Sequence, residues 1–376
     1  MTVHRRAEHP KRVLIVCQLD GFANSVRPLG IQQFLRDLGH DVSVVDTYGL
    51  SRASDAPGSL GWKLPGSLRP SKLALYANEA ASKLWTRGWS FGRRHLSYYV
   101  LMTDYRLRRS ILTSSLPLDD FDLVICHTPY DAGVLSSATS ARTFYDCPTP
   151  WADEAFFEGR LTDRQRKKFR RTESKLLEQV DHLSFSWESY ARYAVEHYGI
   201  SGRNLTQLNW GCTPSADRAR FRDPPRVAYL GSLSSQFIDV PLLARLSARY
   251  PHIDVYGGPP PDPRLGLNYR GYASPDVLRQ YQFGLVTCSQ DLLRQEGFSA
   301  KHLHYLAHGL PVLVPAWRRY LDLLHGSVTY TEETFLSVIG GLSEEGAWQS
   351  VSDQAYEQAR QLAWEETLRP LENLLA

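Results

Sequence analysis

Long hydrophobic runs are missing from this sequence. None of its apolar stretches approaches the roughly 20 residues that a helix needs to cross a bilayer. The opening segment, Met1 to Lys11, is polar and lacks the apolar core of a secretion signal. The five cysteines, Cys17, Cys126, Cys147, Cys212 and Cys288, form no Cys-x-x-Cys pair and no metal-ligand spacing. Cys17, Cys126 and Cys288 each lie in an apolar run, so buried free thiols in a reducing compartment are expected. The loop after the first apolar run reads Gln18-Leu-Asp-Gly-Phe-Ala-Asn-Ser25. It holds one glycine, Gly21, so the G-x-G-x-x-G fingerprint of nicotinamide and flavin enzymes is absent. A net charge of +3 is too small to argue for nucleic acid as a partner. The expected protein is cytoplasmic, with contact at the inner membrane face as the limit of its membrane association.

What the chain does have is two rounds of strand–helix alternation, an α/β pattern. A chain of 376 residues suits two domains better than one core. In the first half, strands are expected at Arg12 to Cys17, Asp41 to Asp46, Asp122 to Cys126, Ala141 to Asp146 and His182 to Ser186, with a helix from about Arg27 to Leu38. In the second half, strands are expected at Arg226 to Gly231, Ile253 to Tyr256, Asn268 to Gly271, Gly284 to Cys288 and Val312 to Val314. Helices are expected there at Pro241 to Tyr250 and Pro275 to Tyr281. The boundaries follow: residues 1–209 as one Rossmann-like domain, 210–352 as a second, and 353–376 as a terminal helix. Residues 62–116 read as a helical insertion rich in tryptophan, tyrosine and arginine, either an acceptor-specificity element or plain packing.

The segment from Glu296 to Pro315 carries the most chemistry. It reads as loop, helix, sharp turn and buried strand. Ser299 is placed as N-cap, Gly309 as terminator, and Pro311 follows. On a helical wheel Leu303, Leu306 and Ala307 share a core face, opposite Lys301, His304, Tyr305 and His308. An anion at the helix start would meet free N–H groups, the positive end of the dipole and the Lys301 ammonium together. A metal site on His304 and His308 is rejected for want of a third ligand.

This segment resembles the donor-binding motif of GT-B glycosyltransferases, above all the large retaining family with two glutamates separated by seven residues. Glu296 stands at the first glutamate and His304 at the place of the second. Lys301, followed by Tyr305-Leu-Ala and His308-Gly-Leu-Pro-Val, is similar to a sub-branch of teichuronic-acid and cell-surface polysaccharide transferases. Tyr229-Leu-Gly-Ser-Leu, Phe237-Ile-Asp-Val-Pro, Tyr256-Gly-Gly-Pro and Tyr145-Asp-Cys147 fit in register, so the likeness covers roughly Phe144 to Pro315.

The resemblance implies two Rossmann-like domains facing a cleft, a last helix from Asp353 that crosses back to pack on the first, and transfer of a sugar from a nucleotide-diphosphate sugar, with no further cofactor. Acceptors would be a polysaccharide, a lipid-linked glycan or a small molecule. Gly231, Ser232, Gly257, Gly297, Phe298, Ser299, Ala300, Lys301 and His304 would bind the nucleotide sugar. Glu296 would hold the sugar and favour positive charge at its anomeric carbon. Asp146 or Asp153 would serve as base if the anomeric centre inverts, and His127 is a strand-end contact. Thr149 occupies the place of a second acid in relatives, which favours retention of configuration. Asp20, Gly21 and Asn24 would face the acceptor. The departures at His304, Thr149 and the cation-free loop Ser232 to Gln236 support one rival, a non-catalytic binding subunit. A nucleotide-sugar epimerase or phosphorylase on the same fold is a second. The basic helix from Asp163 to Lys175 is either a membrane-facing surface or a solvated face.

Overall fold

The computed structural model describes residues 9–19, 23–47, 102, 105, 106, 108–138, 140–234, 237–319 and 324–375, with backbone only for 23–25. Asp20 and Gly21 lie outside the described residues, as does the side chain of Asn24. So does the insertion between residues 62 and 101.

The chain divides into Met1–Asn209 with Leu368–Ala376, and Trp210–Thr367. In the first unit, β1 (Arg12–Cys17), β2 (Asp41–Asp46), β3 (Leu123–Cys126), β4 (Arg142–Cys147) and β5 (His182–Phe185) pair in the order β2-β1-β3-β4-β5. Every pairing is parallel; Val16 aligns with Val45 on one side and Cys126 on the other. Val13, Ile15, Val16 and Cys17 are fully buried, so both faces of β1 are covered. That is why these strands read as apolar runs without alternation. Helix α1 (Ala23–Asp37) begins four residues before the expected Arg27 and carries Pro28 inside it. It buries Ile31, Phe34 and Leu35, an i, i+3, i+4 face.

Beyond β4, α2 (Trp151–Phe157) and α3 (Asp163–Gln179) pack together. The N-terminus of α2 is held from outside: the buried Glu173 carboxylate of α3 accepts from Trp151 N at 2.8 Å and Ala152 N at 2.9 Å. Burial still pushes the Glu173 carboxyl up to about 7.

In the second unit, β6 (Val227–Leu230), β7 (Ile253–Tyr256), β8 (Asn268–Tyr269), β9 (Phe283–Leu285), β10 (Val312–Pro315) and β11 (Ser327–Tyr330) pair in the order β11-β10-β9-β6-β7-β8, again parallel. The edge strand β11 was not anticipated; of its residues only Tyr330 is buried, so it lacks an apolar run. The expected helix from Pro275 is 3₁₀, Pro275–Gln280. Helix α4 (Val240–Arg249) is capped by Asp239, which accepts from Leu242 N at 2.8 Å.

After α5 (Leu292–Glu296) and α6 (Ala300–Ala307), the long helix α7 (Glu345–Gln361) runs through Asp353, where the terminal helix was expected to begin. It is anchored in the second unit, where Trp348 Nε1 donates to Gln282 O at 2.8 Å and Ser352 Oγ to Gly309 O at 2.6 Å. The return falls at Leu368, and α8 (Pro370–Leu375) joins the first unit through Arg142 Nη1 donating to Leu374 O at 2.7 Å. All five cysteines are buried and unpaired. Among the described residues no helix is long and apolar enough to cross a membrane.

Candidate functional site

Three segments at strand ends build the site in the second unit. The chain leaves β6 at Leu230 and turns at Gly231, where φ is 140°. It leaves β7 at Tyr256 and turns at Gly257, where φ is 99°. A side chain at Gly257 would sit 3.1 Å from the Gly231 carbonyl carbon, so only glycine lets the two loops touch. The third segment runs from α5 (Leu292–Glu296) through Gly297 to α6 (Ala300–Ala307).

Ser299 takes the N-cap position of α6, yet its hydroxyl makes no capping bond. His302 N donates to Ser299 O at 2.9 Å, while the N–H groups of Ala300 and Lys301 have no partner among the described residues and stay open to a ligand. The Lys301 side chain folds back over the β6 loop. Its Nζ lies 2.8 Å from Tyr229 Oη, 4.2 Å above the Tyr229 ring, and 3.2 Å from where a Gly231 side chain would begin. Burial pushes the Lys301 ammonium down to about 8, and the Arg318 charge adds to that. No carboxylate pairs with it among the described residues. A half-buried ammonium without a counter-ion is costly unless an anion visits it.

Arg318 is the cation that sequence reasoning missed. It sits three residues past β10, only 6% exposed, with Nη1 2.7 Å from Cys288 Sγ and Nη2 donating to Gly297 O. Its signal was position alone: residues just beyond the carboxyl ends of parallel strands line ligand crevices. Arg294, the other cation considered, lies over the Phe237 ring at 3.2 Å. Glu296 ends α5 and faces Arg319 at 3.3 Å. Phe298 stacks on the His302 ring.

The wheel expectation for α6 fails on two residues, Tyr305 and His308. Tyr305 is fully buried: its Oη accepts from Leu230 N at 2.8 Å and donates to Leu285 O at 3.1 Å, and its ring covers Gly284. His308 is buried, with Nδ1 2.8 Å from His304 O. His302, expected on neither stripe, is buried, and burial pushes its pKa down to about 3. The helix packs on β9, β10 and α7 at once, which leaves little of it for solvent. His304 is half-buried; burial and neighbouring His308 lower its pKa, so its ring is neutral at pH 7. Ser232 spends its hydroxyl locally, 2.7 Å from Ser234 Oγ.

In the first unit the structure brings Asp146 and His127 together and adds Arg27. His127, the residue after β3, places Nδ1 2.8 Å from Asp146 Oδ2. Arg27 grips both Asp146 oxygens, with Nε and Nη2 each at 2.7 Å. Asp146 is fully buried. Burial alone would raise its carboxyl; the Arg27 charge and the bonds from His127 and Arg27 outweigh that and hold it well below the usual carboxylate range. Both oxygens are occupied, which corrects the expectation of Asp146 as a base open to substrate. As a carboxylate it is acceptor only, so His127 carries its proton on Nδ1. The other ring nitrogen, Nε2, has no partner among the described residues. Asp153 is likewise enclosed, bound by Arg166 Nε at 2.6 Å, Arg170 Nε at 2.8 Å and the Tyr193 hydroxyl. Arg166 and Arg170 therefore turn to Asp153 and belong neither to a membrane-facing surface nor to a solvated face.

No family model matches the chain, and no curated protein sequence matches it. Solved structures do. TarM superposes with a TM-score of 0.56 at 11% identity, over 72% of this chain and 58% of TarM, so this chain spans less than two thirds of TarM. The apo lipopolysaccharide outer core galactosyltransferase WaaB gives 0.58 at 14% identity, over 97% and 99% of the two chains. The α,α-trehalose-phosphate synthase (UDP-forming) of Burkholderia vietnamiensis gives 0.59 at 12%, over 97% and 96%. At such identities the likeness speaks to architecture. The chain has the GT-B fold, the pair of parallel-sheet α/β domains found in these glycosyltransferases.

Proposed function

We propose that the protein transfers a sugar from a nucleoside-diphosphate sugar to a hydroxyl acceptor. The observation that carries this is Lys301: an ammonium held beside an uncapped helix start and a glycine turn, with no carboxylate to neutralise it. A diphosphate supplies the missing charge. As the anomeric C–O bond breaks, negative charge grows on the leaving phosphate. Lys301, Arg318 and the α6 N–H groups neutralise it, with no metal ion assigned a part. Glu296 holds sugar hydroxyls and favours positive charge at the anomeric carbon. His304, neutral, makes one hydrogen bond to the ribose, and the backbone from Gly297 to Ala300 meets the phosphates.

Retention of configuration is the proposed outcome. The two carboxylates considered as bases, Asp146 and Asp153, are both enclosed. A leaving phosphate oxygen then takes the acceptor proton on the face it departs from. His127, oriented by Asp146, offers Nε2 to a substrate hydroxyl. The acceptor side falls to the first unit, with a cell-surface polysaccharide precursor, a lipid-linked glycan or a small molecule as the acceptor class. UDP heads the nucleotide panel because one relative in fold is UDP-forming.

The test is thermal shift with UDP, GDP, dTDP and their sugars, followed by donor hydrolysis without acceptor. Stabilisation by a diphosphate and slow hydrolysis of its sugar are expected. Stabilisation by none of them would sink the reading and leave the binding subunit.

A further inference from the structure

A second cationic site lies in the first unit and is independent of the donor site. Residues 108–115 form a helix, with Tyr105 and Arg106 helical just before it. This helix is pinned from inside. Arg108 reaches the fully buried Asp131 at 3.2 Å, and Asp131 accepts from Thr47 Oγ1 at 2.6 Å. Tyr105 lies so close to Gly133 that any side chain there would meet its ring at 2.8 Å. With Arg108 turned in, the helical period turns Arg106, Arg109, Ser110 and Thr113 out along one stripe.

That stripe faces Lys175 of α3 and Ser137 across a cavity of about 690 Å³. The wall is hydroxyl-rich, and Thr113 Oγ1 donates to Ser137 Oγ at 3.1 Å. Among the described residues that line it, the three charged ones, Arg106, Arg109 and Lys175, are all cations. Arg106, Arg109 and Lys175 form no ion pair among the described residues, although the chain carries 40 acids. An ordinary solvated face intersperses both signs. Three unpaired cations around a hydroxyl-lined cavity match the chemistry of phosphate oxygens, which accept from guanidinium forks and hydroxyls alike. We propose that this groove binds a phosphate-bearing group, on a lipid headgroup or on a free phosphate ester.

The test uses the full chain carrying Lys301→Ala, which weakens phosphate binding at the donor site. Two probes are titrated: glycerol 3-phosphate by calorimetry, and vesicles of phosphatidylcholine with phosphatidylglycerol by co-sedimentation. The groove variant is Arg106→Gln/Arg109→Gln/Lys175→Gln. The control, Arg164→Gln/Lys167→Gln/Arg171→Gln, removes the same charge from exposed positions on α3 that do not line the cavity. At roughly a factor of five per cation, the groove variant should lose about a hundredfold in binding while the control stays within a few-fold. Binding of vesicles alone identifies the headgroup as the source; binding of both probes identifies the free ester. Binding of neither, or equal loss in both variants, overturns the proposal.

Discussion

Lys301 gives a prediction that can be worked through. Its ammonium is depressed to about 8 because burial disfavours the charge. A bound diphosphate favours the charge and lifts the value back. The protonated form is therefore the binding form, and affinity is lost as pH rises through about 8. Between pH 7 and pH 9 the protonated fraction of the free protein falls about tenfold. The diphosphate does not confound this window, since the second phosphate ionisation lies near 6. A nucleoside diphosphate should thus bind about tenfold more weakly at pH 9 than at pH 7, and the matching nucleoside should bind equally at both. Lys301→Met removes a charge-assisted hydrogen bond worth roughly 1.5–3 kcal/mol, a ten- to hundredfold loss at pH 7. The pH dependence should vanish with it. Isothermal titration at several pH values reads both effects. Equal losses for nucleoside and diphosphate, or a pH slope that survives in the variant, would refute the assignment.

Three further outcomes are expected. Arg27→Met leaves the Asp146 carboxylate buried without its partner, at a cost of about 3–5 kcal/mol in urea unfolding; adding Asp146→Asn should restore much of it. Gly231→Ala forces a side chain into φ 140°, costing about 1–3 kcal/mol by thermal denaturation and weakening diphosphate binding through Lys301. Tyr305→Phe strands the Leu230 N–H and should cost about 1–3 kcal/mol, with more loss if the β6 loop shifts.

The parallel sheets were legible because their strands are buried on both faces and read as unbroken apolar runs. The turn-rich stretch after Trp210 was what marked a boundary near residue 209 in the sequence. The start of α6 was legible because an N-cap residue, a lysine and a terminating glycine stood at helical spacing. The depth of its burial was not. A wheel ranks faces by residue type, and Tyr305 was ranked polar for a hydroxyl that in fact joins two sheet strands. Arg27 was invisible for another reason. Its partner Asp146 is 119 residues away, and an arginine in an amphipathic helix ordinarily faces water. Sequence showed two strand-end residues, His127 and Asp146, but only the folded sheet could show that their side chains meet.

The same guanidinium has a mechanical role beyond charge. Arg27 Nη2 donates to Leu208 O at 2.7 Å and Nη1 to Asn209 O at 3.0 Å, the last two residues before the chain departs for the second unit. One side chain therefore clips the outgoing strand to the acid that steers His127. The aim of the imidazole and the point where the chain leaves the first unit are thus fixed by one residue.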